Sequence, residues 1–312
     1  MQRAAQLEIF SGRALRTLAG LTLLWLAATA PALAQPSRFR PAPGYVQVTP
    51  PDPAEGRKIL GEFRAQGWGL AGAFYLEFEL HVLPRPLRGV PAAPERVVPG
   101  RLWGRRNDRG PITRIVLQPG AGDAERRLLV QSGPESALWS WPAAEADHAA
   151  GGVSAVGAAA LFTPLAGTEL TAFDLQMPFI YWSDFVYEGT EPVRGRPAHV
   201  FLLYPPAAIV AQQPALAGVR IYLDTEFNAL MQAEEISSTG APLKSITVLE
   251  LDRKVRVAKV IDLRDEQTRN HTQFTVTAVA LDQDFAAALF EPASLADSLK
   301  PPSESALQRL SP

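Results

Sequence analysis

At 312 residues, with 47% hydrophobic and 20% charged residues, the chain holds enough apolar material for one large domain or two small ones. A formal net charge of −2 gives it no electrostatic reason to seek nucleic acid or an anionic membrane face. It has no cysteine, hence no disulfide and no thiol for a lipid anchor, so its core must hold it together.

Residues 1–34 read as a secretory signal peptide. Arg3, Arg13 and Arg16 give a positive start, residues 18–30 form an apolar run, and Ala32-Leu33-Ala34 is a small-residue cleavage signal. The run is too short to cross a bilayer. Cleavage is expected after Ala34, leaving a mature chain with 27 basic and 31 acidic residues. Residues 35–51 are proline-rich without hydrophobic period and read as an extended arm. Asp52-Pro53-Ala54-Glu55 then reads as a helix start, with Ile59, Leu60 and Phe63 on one face and a stop by Gly67.

Residues 69–83 alternate most clearly. Phe74, Leu76, Phe78, Leu80 and Val82 share one face, and Tyr75, Glu77, Glu79 and His81 share the other, which predicts a half-buried antiparallel strand with one wet face. Residues 83–99 form a proline-rich connection. Four short strands are predicted at 101–106, 112–118, 126–131 and 137–141, the first two joined by a hairpin turn at Asn107-Asp108-Arg109-Gly110. The Ala/Gly-rich 143–166 segment reads either as a linker or as a mobile piece lying across the domain's opening. Residues 171–184 are helical in character and broken by Pro178. Strands at 196–204, 218–224, 229–237, 243–251, 255–263 and 272–281 follow, with turn residues between them. Residues 284–289 make a short helical turn, and 298–312 are expected to be a disordered tail. The domain therefore covers 52–297.

Chemistry is not evident. His81, His148, His199 and His271 stand at no metal-type spacing, no G-x-S-x-G elbow exists, and the glycines form no phosphate-cradling loop. Glu77 and Glu79 are explained as a solvated strand face. No catalytic residue, metal ligand or cofactor is nominated, and no enzyme is expected.

Gly167-Thr168-Glu169-Leu170-Thr171-Ala172-Phe173-Asp174-Leu175 resembles the G-[ST]-[DE]-[FL]-[ST]-x-x-D-L segment of the LolA/LolB-like superfamily, the periplasmic outer-membrane lipoprotein-sorting proteins. The stretch from Tyr187 to Arg196 is similar to that family's Y-x-G-x-E-x-V-x-G-R lead-in, and 219–224 resembles its W-x-D strand with Tyr222 in place of Trp. Residues 262–272 and 285–295 resemble its later segments. The resemblance covers about 167–295. It implies a strongly curved, incompletely closed antiparallel β-barrel with helices plugging the concave side, in an α+β, mainly β chain. It also implies a periplasmic location, an apolar hollow for the acyl chains of lipoproteins or other lipids, and an inner-membrane donor with an outer-membrane acceptor.

Sheltering acyl chains sets a physical demand. Each buried methylene is worth about 0.8 kcal/mol, so a chain of about sixteen carbons needs about 12 kcal/mol of apolar shelter, which a lined hollow supplies and a surface patch does not. Phe74, Phe78, Leu80, Phe274 and Val276 are the candidate wall, and Phe173, Met177, Phe179 and Trp182 the candidate cover. The same residues also fit an ordinary core. Three readings follow: a lipid or lipoprotein carrier whose interior is not filled by its own side chains, a non-catalytic envelope module binding a protein partner on its concave face, and a hydrolase whose site the sequence does not reveal.

Overall fold

The computed structural model describes residues 51–310, apart from 67–71, 86–92, 119, 121–124, 143–151, 253 and 256. The leader expected over 1–34, and all but the last residue of the arm expected over 35–51, lie outside the described residues. The chain begins with α1 (Pro53–Gln66), whose Leu60 and Phe63 are buried. A first antiparallel meander follows: β1 (Phe74–Leu83), β2 (Arg96–Asn107), β3 (Gly110–Leu117), β4 (Arg126–Gln131), β5 (Ala137–Trp141) and β6 (Ser154–Ala155). A second holds β7 (Phe185–Val193), β8 (Arg196–Leu203), β9 (Leu216–Asp224), β10 (Leu230–Ser237), β11 (Pro242–Asp252), β12 (Val257–Asp265) and β13 (His271–Ala280). β1 pairs with β13, so both meanders belong to one sheet ordered β6-β5-β4-β3-β2-β1-β13-β12-β11-β10-β9-β8-β7. That sheet is curved and not closed. It is the incompletely closed antiparallel barrel with helices that the resemblance implies.

Topology decides what lies inside the curve. β6 and β7 are the two edges of the sheet, yet they are consecutive in the chain, so the segment between them must travel from one edge to the other. It crosses the concave face. Along it lie a 3-10 turn (Ala158–Ala160), α2 (Ala172–Gln176) and a second 3-10 turn (Pro178–Tyr181). Pro178 stands at the start of that turn, where its missing N–H costs nothing, and this explains the break expected there. One apolar cluster joins this segment to α1 and to the inward side chains of both meanders.

Two aromatic rings of β1 lie flat over glycines of β2. Phe78 faces Gly100 and Phe74 faces Gly104 across the ladder, and a Cβ built on either glycine would stand under 2.5 Å from the opposing ring. The glycines are thus the sockets that let both rings lie close against the wall. The β2–β3 hairpin turns at Asp108 and Arg109, with Asn107 opposite Gly110, as the sequence predicts.

The reading of 298–312 as a disordered tail is corrected. Within 298–310, β14 (Gln308–Arg309) pairs with β13 at the edge of the ladder, Leu299 and Leu307 pack on the Tyr75 side, and Leu310 is buried in the same cluster as the concave wall. The wet face expected for β1 holds for Glu79 and His81 but is corrected at Tyr75. Tyr75 is fully buried against Trp103, Ile112, Val116 and Leu129, beneath Phe290 and Leu295, while Arg309 pairs with Glu77. The sequence shows only the polar members of that face; the cover that buries the rest comes from the far end of the chain.

Two arginines fasten residues 287–297, the strap whose Phe290 and Leu295 lie over Tyr75 on the convex face. Arg114 is wholly buried and donates to the carbonyls of Leu289 (3.3 Å), Leu295 (3.2 Å) and Asp297, and to Ser294 Oγ (3.2 Å). Arg127 donates to the carbonyls of Leu295 and Ala296, and its guanidinium lies 4.2 Å from the centre of the Trp141 ring. Carbonyls at the ends of helical turns carry partial negative charge, which suits a buried guanidinium. Arg114→Ala is expected to cost about 3 kcal/mol in urea unfolding, because it strands several buried acceptors at once. A loss below about 0.5 kcal/mol would show that the strap is held by other means.

Candidate functional site

All nine residues nominated as wall and cover meet in one apolar cluster. Phe78, Leu80, Phe173, Phe179, Trp182 and Val276 are buried in it, and Phe74, Met177 and Phe274 are half-buried against it. Phe78 stacks on Phe274 with ring centres 4.4 Å apart, tying β1 to β13. Phe173 sits at the centre of the cover, 4.7 Å from Phe162, 5.7 Å from Phe179 and 6.2 Å from Trp182 between ring centres. Phe162, Leu161 and Leu165 also join the cluster, so the described part of the Ala/Gly-rich segment lies across the concave side. Its residues 143–151 fall outside the described residues.

Among the described residues the cover packs closely against the wall. Phe173 and Ile180 are 0% exposed and Phe179 is 1% exposed. Two open hollows among the described residues lie elsewhere. One, about 460 Å³, is bounded by Pro99, Gln118, Gly120 and Glu125; the other, about 270 Å³, involves Arg105, Arg106 and Phe285. None of the nine residues lines either one. In this conformation the described cover lies against the wall where the sequence reading places cargo. An apolar trough in water is unstable empty, and the chain places its own cover there.

The glycine-to-leucine motif builds the start of that cover. Gly167 adopts φ +61°, which favours glycine. Thr168 Oγ1 donates to the Leu165 carbonyl (2.8 Å) and accepts from Leu170 N–H (3.1 Å), while Glu169 N–H donates to Thr272 Oγ1 on β13 (2.9 Å). Thr171 and Asp174 form a capping box on α2. Asp174 Oδ2 accepts from Thr171 N–H (2.7 Å), from Thr171 Oγ1 (2.8 Å) and from Lys244 Nζ on β11. Its other oxygen, Oδ1, is buried with no hydrogen-bond partner among the described residues.

Lys244 is flanked within the sheet by further carboxylates. Its register partners are Glu235 on β10 and Asp265 at the end of β12. Burial and the Asp174 charge push the Glu235 carboxyl up to about 7, and burial together with Asp265 raises that of Glu169. At the cover's other end, Arg64 of α1 donates to the carbonyls of Ile180 (2.6 Å) and Trp182 (2.7 Å). Burial lowers the pKa of this guanidinium. The cover thus has apolar contacts along its middle and charged contacts at both ends. Between α2 and the second turn, Met177 takes a left-handed conformation (φ 45°, ψ 51°), which costs a non-glycine residue about 1–2 kcal/mol.

Arg64 and Lys244 were not nominated from the sequence. Lys244 had a signal, since period-two alternation puts it on the inward face with Ile246, an uncommon place for lysine. Arg64 had none, because its acceptors are backbone carbonyls more than a hundred residues away. His199 shares a 2.9 Å hydrogen bond with Tyr187 OH. Among the described residues, no group of three or more His, Asp or Glu is placed to hold a metal, and no helix is long and apolar enough to cross a membrane.

The architecture is that of the LolA-like fold. No family model matches the chain, and no curated protein matches it. Among solved structures, it is similar to a domain assigned to outer membrane lipoprotein sorting from Vibrio parahaemolyticus. That likeness has a TM-score of 0.64 at 16% identity, covering 78% of this chain and 99% of the other. A DUF1329 family protein from Desulfovibrio piger gives 0.62 at 13% identity over 78% and 98%. A LolA superfamily protein from Nitrosomonas europaea gives 0.55 at 14% identity over 75% and 96%.

Asp174→Ala is expected to destabilise the protein by about 3 kcal/mol in urea, since it removes the cap of α2 and the cover-side partner of a buried lysine. A loss under about 1 kcal/mol would mean that Lys244 is satisfied within the sheet alone.

Proposed function

We propose that this protein is a periplasmic carrier that shelters acyl chains of lipoproteins or other lipids between its concave wall and its cover, on the way to the outer membrane. The observation that carries the reading is the construction of the cover. Its middle is an apolar surface formed by Phe173, Phe179, Ile180 and Trp182, and its ends are held by polar contacts from Lys244 and Arg64. An acyl chain entering the trough replaces apolar contacts with apolar contacts, so the exchange costs far less than exposing the wall to water. The polar ends re-form when the cover settles over the cargo. The likeness to a domain assigned to lipoprotein sorting supports the same reading. The signal peptide expected over 1–34 fits a carrier exported to the periplasm.

The close packing of the cover against the wall favours a second reading, a non-catalytic envelope module that offers its concave side to a protein partner. Mass spectrometry of an organic extract separates the two. A carrier is expected to release acyl lipid in near-stoichiometric amount, or to bind a fluorescent fatty acid once stripped. A lipid-free preparation that also fails to bind the fatty acid would overturn the carrier reading.

A further inference from the structure

We infer that the carboxylate–lysine cluster between the cover and the β10–β12 row is a pH-responsive latch, one that holds the cover more firmly as the medium becomes more acidic. One ammonium, Lys244, pairs with Asp174 and has two further carboxylates beside it in the strand register, one of which, Asp265, also accepts from the Gln267 and Thr268 N–H groups (2.8 and 2.7 Å). Asp174 and Glu169 come from the cover, Glu235 and Asp265 from the sheet, and Lys244 lies between Glu235 and Asp265 in the strand register. The neighbouring Glu266 is committed elsewhere: it accepts from Ser245 Oγ (2.8 Å) and pairs with Arg269 (2.6 Å), with Arg264 at 3.8 Å. On β13, His271 pairs with Asp262 and the group facing the cover is the neutral Thr272. Fully ionised, the cluster therefore carries surplus negative charge in a poorly hydrated place, and Asp174 Oδ1 has no donor.

A proton relieves that surplus only while the cover is down. Opening carries Asp174 and Glu169 away and rehydrates Glu235, so its carboxyl returns from about 7 toward its ordinary 4.5. The closed form then holds a proton that the open form lacks between those two values. A raised carboxyl stabilises closure fully below the open-state value and loses that contribution as pH rises through about 7. Within the window, the opening equilibrium rises by up to about tenfold per pH unit. Glu169, whose carboxyl is also raised by burial, adds to the effect with the same sign.

The latch rests on the cover movement that the proposed function requires, but its test uses no lipid, so a failed latch leaves lipid binding to its own test. Hydrogen exchange of amides 172–182 is followed in the mature chain from about pH 5.5 to 8, corrected for the intrinsic pH dependence of exchange. Protection of the cover is expected to fall about tenfold or more across this range, while amides of Phe201 and Ile221 in the core strands keep theirs. Glu235→Gln is expected to abolish most of the fall. Glu234→Gln, whose carboxylate bonds Tyr222 OH on the opposite face, is expected to retain it. Cover protection that does not change with pH in the wild-type chain overturns the latch, and that profile decides alone should Glu235→Gln not fold. A folded Glu235→Gln with the wild-type slope overturns it equally.

Discussion

A curved sheet that does not close has an apolar inner face, and that face cannot be left to water. This constraint organises the molecule. Because consecutive strands β6 and β7 are the two opposite edges of one sheet, the chain must cross the concavity between them, and the crossing segment is the material that covers it. One connection thus satisfies the path of the backbone and the burial of the wall.

The cover differs in chemistry from a core helix. α2 is five residues long and the turn after it four, too short to persist without tertiary support. Their support divides into apolar rings against the wall and charged contacts at the ends. Apolar contacts are non-directional and accept a substitute, whereas the capping box, Lys244 and Arg64 fix one position and orientation. A left-handed Met177 between the two short elements stores strain where the cover bends. The convex side has the opposite character. There Arg114 and Arg127 bind the C-terminal strap through many carbonyls, and the strap's two helical turns, though also separated before a proline, contain no left-handed residue.

Local periodicity carried much of this fold. Alternation from Phe74 to Leu80 located the wall, because Phe74, Leu76, Phe78 and Leu80 all join the concave cluster, and Pro178 located the break in the cover. What stayed hidden depends on long-range partners. Tyr75 sits among Glu77, Glu79 and His81 in the sequence, and only the returning strap explains its burial. β7 went unread as a strand because Gly189 and Pro192 interrupt its pattern, tolerable at an edge where one side of the ladder has no partner. The apolar site residues were legible as a set, whereas the polar groups fastening the cover act through register and backbone carbonyls, which composition does not record.

The account stands on displacement of the cover by cargo, and a distance measurement addresses it most directly. The chain has no cysteine, so spin labels can be placed at Leu175→Cys on the cover and Thr239→Cys at the β10–β11 turn without background. Pulsed dipolar spectroscopy is expected to show a single short distance in the lipid-free protein and a second, longer population when fatty acid is added. One unchanged distance distribution at saturating lipid would contradict the account.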